Sequence, residues 1–230
     1  MSHQALYLPP ERISALDAAF AQIFGGKPQR YFSAPGRTEI SGNHTDHQRG
    51  RVLAAAVNLD MQAAVRVNGS DTIRILSQGY PLCQVSLCEL TPKDAEINTT
   101  AALIRGVAAR FVQLGCAVQG FDAYMESTVL PGSGLSSSAA FEVLVGTIIN
   151  HLFFDGKSSQ PEIAMIGQYA ENVFFGKPCG LMDQTASAVG GMVSIDFADK
   201  EIRINQNNNA RTFNNKRVNN NNKKNFKRKF

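Results

Sequence analysis

Between Pro131 and Ala140 the chain reads Pro-Gly-Ser-Gly-Leu-Ser-Ser-Ser-Ala-Ala, a glycine hinge followed by three consecutive hydroxyls. Gly132 and Gly134 reach backbone angles closed to other residues, so successive amide N–H groups can turn onto one anion. Beyond Ser138, the apolar residues Ala139, Ala140, Val143, Leu144 and Ile148 recur at helical spacing. They set the positive end of a helix, with its unpaired donors, against the loop. The chemistry that fits is the cradling of a polyphosphate; a Ser-rich helix cap has the same composition. This is not a Walker A loop, because no lysine follows its last glycine and none occurs between Lys93 and Lys157. Neutralising phosphate therefore falls to a metal ion and the helix terminus, with Ser136, Ser137 or Ser138 offering a hydroxyl to the metal.

Two further stretches carry clustered polar groups. The segment Gly36 to Gln48 packs Arg37, Glu39, Asn43, His44, Asp46 and His47 between glycines. Carboxylate, amide and imidazole side by side can match the hydroxyls of a polyhydroxylated ligand, against the alternative of a solvated loop. His44 and His47, with Asp46 between them, lack a third or fourth soft ligand at zinc spacing. Farther on, Glu171 falls near the end of a predicted helix, where the macrodipole disfavours an acid. A Gly/Pro-bent loop then delivers Asp183 to the start of the next helix, where first-turn capping is the ordinary explanation.

These groups need a scaffold, and hydropathy periodicity supplies one. A helix is predicted over residues 10–24, with Ile13, Leu16, Phe20, Ile23 and Phe24 on one face and Gly25-Gly26 ending it. A short strand runs from Arg30 to Ala34 and is broken by Pro35-Gly36. Four strands follow, Val52 to Val57, Met61 to Val67, Thr72 to Leu76 and Leu82 to Leu87, with Asn68-Gly69 reading as a hairpin turn. Thr99 to Leu114 reads as a helix, Phe121 to Ser127 as a strand, Pro161 to Phe174 as a helix and Gly191 to Phe197 as a strand.

The net charge of +4 conceals an asymmetry. Residues 200–230 hold ten Lys/Arg and one Glu, leaving 13 basic and 18 acidic residues in the body, a net −5. A body of that sign argues against nucleic-acid binding by the folded domain. Four unpaired-looking cysteines, no charged-then-apolar leader and no apolar run of ~20 residues predict a cytoplasmic chain that enters no membrane.

Taken in order, the three polar stretches resemble the GHMP small-molecule kinases, and the first narrows the likeness to the galactokinases. Gly36, Arg37, Gly42, His44, Thr45 and Asp46 match that family's N-terminal signature. Pro131, Gly134, Leu135, Ser136, Ser137, Ser138 and Ala139 match its ATP loop. Glu171, Gly176, Cys179, Gly180, Met182, Asp183 and Gln184 match its acidic stretch. The resemblance implies an α+β fold, a mixed sheet packed by helices, and transfer of the ATP γ-phosphate to the anomeric hydroxyl of galactose. It assigns ATP to Pro131, Gly132, Ser133, Gly134, Leu135, Ser136, Ser137, Ser138 and Ala139, and Mg²⁺ to Ser138 and Glu171. Asp183 would act as base or orienting anion and Arg37 would stabilise charge beside it. Asn43, His44, Asp46, Gly180 and Asp183 would meet the sugar. Asn43 stands where many galactokinases have glutamate, so the implied sugar extends to N-acetylgalactosamine or arabinose, and a non-catalytic sugar and ATP sensor is the alternative function.

The likeness runs from about Leu16 to Lys200, and residues 1–200 are expected to form an N-terminal domain. Residues 205–230 contain eleven Asn, so 201–230 is expected to be a disordered tail. The family's C-terminal domain is expected to be missing, as after a frameshift near Lys200 or in a truncated gene, leaving a monomer of weak or no activity.

Overall fold

A computed structural model of the chain describes residues 9–42, 45, 49–198, 201–206 and 224–227. Its axis is one long strand, β2 (Arg51–Val67). On one edge, the first part of β2 pairs with β6 (Met192–Asp196) and its last part with β5 (Phe121–Ser127). Along the other edge runs β1 (Arg30–Ser41), antiparallel. Beyond β5, β3 (Thr72–Ser77) lies parallel to it and pairs antiparallel with β4 (Cys83–Ser86), so the sheet is mixed, as expected.

Strand alternation assigns the two faces. Ala63, Val65, Ala123 and Met125 join the main core with α2 (Thr100–Gln113), α3 (Ser137–Phe153) and α4 (Gln160–Ala170). Ala64 and Tyr124 instead meet Leu16 and Phe20 of α1 (Pro10–Phe24). With both faces covered, Met61 through Val65 are all buried, which explains their near-continuous apolar run. On the α1 side, Asp122 is fully buried and accepts hydrogen bonds from Arg74 at 2.7 and 2.9 Å, Arg66 at 3.3 Å and Asn68 at 2.8 Å. The two guanidinium groups lie over the rings of Phe20 and Phe24, tying α1 to three strands.

Three expectations need correction. The first strand does not stop at Pro35-Gly36: β1 continues to Ser41, with register shifts at Pro35/Arg37 and Glu39/Ser41. A bulge accommodates a proline that cannot donate to the ladder. The two strands expected between Val52 and Val67 are one. Asn68-Gly69 does not close a hairpin of β2 on β3, because β5 lies between them; the Asn68 side chain instead donates to Thr72 O and Asp122. Of the tail expected to be disordered from residue 201, the described residues form β7 (Glu201–Gln206), paired with β6, and β8 (Lys224–Lys227), paired with β7; the rest of that stretch lies outside the described residues. β7 covers the edge that β6 would otherwise leave unpaired, and Ile204 packs on a second core cluster with Val193 and Ile195.

Helices α2 and α4 touch closely because Gly106 has no side chain: a Cβ there would lie 2.7 Å from Ala170 Cβ and 2.8 Å from Ala170 Cα. Gly106→Val is therefore expected to cost about 1–3 kcal/mol through overpacking, seen as a lower urea midpoint. An unchanged midpoint would mean that the two helices separate freely there.

Candidate active site

The serine loop folds as its glycines demand. Gly132 and Gly134 take φ of +75° and +77°, and Ser136 joins them in the left-handed region at +55°. For a residue with a side chain that conformation costs roughly 1–2 kcal/mol. What Ser136 gains is a hydrogen bond from its hydroxyl to Asp183 Oδ2. It stands at the N-cap position of α3, yet its side chain makes no capping hydrogen bond to that helix. The helix-cap explanation of the serines therefore fails, and the helix terminus remains a donor site for an anion.

Arg37 reaches the same place from the bulge in β1. Its Nε and Nη2 each donate to Asp183 at 2.6 Å, and Nη1 donates to Gly134 O at 2.6 Å. Such a fork fixes the carboxylate in two dimensions as well as pairing its charge. Gly36 lets β1 approach the loop, since a Cβ there would lie 3.0 Å from Leu135 O and 3.1 Å from Val129. Asp183 itself begins α5 (Met182–Val189), but its carboxylate turns to Arg37 and Ser136 rather than acting only as a first-turn acid.

Glu171 opens a single π-turn (Glu171–Phe175) after α4, a local irregularity that the helical periodicity hid. It is nearly buried and accepts from Gln184 Nε2 at 2.9 Å, and the same amide donates to Glu142 at 3.0 Å. Burial, then the charge of Glu171, pushes the Glu142 carboxyl well above the ordinary range, which favours its neutral form. Burial and the hydrogen bond to Glu171 likewise push the Cys179 thiol up, which disfavours its thiolate. Lys177, on the loop after the π-turn, places Nζ 3.5 Å from Glu171 Oε1.

These side chains line two cavities that share Ser137 and Ser138. The polar one, about 310 Å³, is walled by Arg37, Gly132, Gly134, Ser136–Ser138, Glu171, Lys177, Cys179 and Asp183. The apolar one, about 1130 Å³, is walled by Tyr80, Leu82, Met125, Leu130, Pro131, Phe141 and neighbours. Ser133, Leu135, Ala139 and Gly180 line neither. Ser133 bonds back to Leu130 O, Leu135 O accepts from Arg37 N, and Ala139 is in the core. Asn43, His44 and Asp46 lie outside the described residues; β1 and β2 bring the two ends of their segment together, with Ser41 opposite Leu53. Sequence reasoning missed Glu142 and Lys177 as members of the site. Glu142 had one signal, its position one helical turn beyond Ser138 in an otherwise apolar stripe.

A hard dication fits the polar cavity. Ser138 Oγ and the Glu171 carboxylate are oxygen donors on its wall, and among the described residues no cluster of three or more His, Cys, Asp or Glu ligands competes. A protein supplying so few ligands leaves the remaining positions to phosphate and water, as magnesium prefers.

A fold of this kind with this cavity defines a class. Residues 102–191 match the family model described as GHMP kinases N terminal domain, and the chain carries that domain. Residues 18–67 match the galactokinase galactose-binding signature, placing the likeness among the galactokinases. The galactokinases of Clostridium tetani (strain Massachusetts / E88) and Bacillus subtilis (strain 168) are each 35% identical over 178 residues. Those alignments cover 77% and 76% of this chain and 45% of each relative, so the chain spans less than half their length. The crystal structure of Lactococcus lactis galactokinase complexed with galactose superposes with a TM-score of 0.76 at 28% identity, over 84% of this chain and 51% of that one. Methanococcus jannaschii mevalonate kinase, at a TM-score of 0.64 and 16% identity, shares the fold alone.

Proposed function

We propose that this chain binds ATP and galactose and belongs to an enzyme that transfers the γ-phosphate to the anomeric hydroxyl, giving galactose 1-phosphate and ADP. The observation that carries the reading is the convergence of Arg37, Asp183 and the start of α3 on one polar cavity that shares Ser137 and Ser138 with an apolar one. The polar cavity suits a triphosphate and the apolar one a purine, with Ser137 and Ser138 at their junction. Ser138 and Glu171 would hold Mg²⁺, which offsets the charge of the phosphates when bound.

In the transfer, the sugar hydroxyl oxygen forms a bond to the γ-phosphorus as the bond to the β,γ-bridging oxygen breaks. The hydroxyl proton passes toward Asp183, or is oriented by it on its way to solvent. Arg37 and Ser136 hold that carboxylate in place, so little of the barrier is spent on aligning it. Asn43, His44, Asp46 and Gly180 would meet the sugar hydroxyls.

A coupled ADP-release assay with galactose, N-acetylgalactosamine and arabinose tests this directly. Galactose-dependent ADP formation is the expected result, however slow. A thermal shift with galactose and ATP but no ADP would replace the kinase with a sugar and nucleotide sensor, and neither response would overturn both readings.

A further inference from the structure

Accepting the nucleotide reading just given, we propose that Lys177 is a phosphate-binding residue of this site: it neutralises Glu171 while the cavity is empty and turns to the outer phosphates once a nucleotide enters. The sequence left this loop without a lysine of its own, and the fold brings one in from a loop nearly forty positions later in the chain.

The two cations on the wall differ in how they are held. Arg37 is the obvious cation, but its Nε, Nη1 and Nη2 are all engaged, on Asp183 and Gly134 O, and its side chain is 8% exposed. Turning it to a phosphate would release Asp183. Lys177 is built the other way. Its backbone is anchored, with N–H donating to Glu171 O at 3.2 Å and Gly176 before it at φ +84° closing the π-turn. Its side chain is 64% exposed, and the 3.5 Å between Nζ and Glu171 Oε1 is an ion pair longer than an ordinary hydrogen bond. A lysine head on four rotatable bonds can move several ångströms without disturbing that anchor.

Charge then sets the direction. Among the lining side chains Arg37 balances Asp183 and Lys177 balances Glu171, so the empty cavity is neutral. A polyphosphate adds several negative charges, and a dication held by Glu171 would take over the carboxylate that Lys177 faces. The ammonium is then repelled from Glu171 and attracted to the phosphate oxygens in the same small cavity.

The test is calorimetric and needs no turnover. Wild type, Lys177→Met and Lys177→Arg are titrated with MgATP and with adenosine at two salt concentrations. Loss of one charge-assisted hydrogen bond predicts that Lys177→Met binds MgATP roughly 10-fold more weakly or worse, with a shallower salt dependence and unchanged adenosine affinity. Lys177→Arg is expected to recover most of the loss. Unchanged MgATP affinity in Lys177→Met would overturn the proposal. So would tighter binding, the outcome for a lysine that only competes with the metal for Glu171. If wild type itself binds neither MgATP nor adenosine, the nucleotide reading falls, and the role of Lys177 with it.

Discussion

Asp183→Asn is expected to lower the rate of phosphoryl transfer by about 10²–10⁴-fold, the range typical of a positioned proton acceptor. The substitution changes one oxygen into an amide NH₂ and little else. Its remaining oxygen can still accept from Arg37, but the new NH₂ meets donors from Arg37 or Ser136 where an acceptor was needed. The loss should fall on kcat, and equally on kcat/KM, because in the proposed transfer Asp183 meets the reacting hydroxyl rather than the nucleotide. MgATP affinity measured by calorimetry should stay near wild type, separating this variant from Lys177→Met. Retention of wild-type turnover in Asp183→Asn would remove Asp183 from the chemistry and leave it as a purely structural partner of Arg37.

The contrast between Asp183 and Lys177 shows what can be read from a sequence. Ser138 and Asp183 stand out locally, the first in a glycine-hinged serine run and the second after a bent loop at a helix start. Their pairing with other groups does not, because Arg37 and Asp183 meet across 146 residues. Lys177 lies between a glycine and a proline and looks like loop solvation; the π-turn at Glu171 aims that loop back at the polar cavity. Helices such as Pro10–Phe24 and strands such as Phe121–Ser127 were legible because periodicity and bounding glycines agree over their whole length. Periodicity failed where tertiary pairing overrides it. Pro35-Gly36 reads as a break but is a bulge that aims Arg37, and Asn68-Gly69 reads as a hairpin but serves the buried carboxylate of Asp122.

That carboxylate gives the largest expected effect on stability. Burial alone would raise the Asp122 pKa, but hydrogen bonds from Arg74 and Asn68, with the Arg74 charge, outweigh it and hold the carboxyl below its ordinary value. Asp122→Asn keeps the shape and removes the charge, stranding two guanidinium groups whose side chains are 25% and 39% exposed. Breaking a buried pair from one side costs about 3–5 kcal/mol, and because both arginines retain a path to water the lower end is expected here. In a domain of this size about 3 kcal/mol corresponds to a fall of roughly 6–12 °C in Tm. The pH dependence has a definite sign. A depressed carboxyl contributes its full stability above the ordinary Asp range, near pH 4, and loses it as pH falls through the lower folded value. The gap in urea midpoint between wild type and Asp122→Asn should therefore be widest above about pH 5 and close as the pH is lowered toward about 2. A gap that stays constant over that range would mean that the cost arises from altered packing beneath α1 rather than from the charge that Arg66 and Arg74 share.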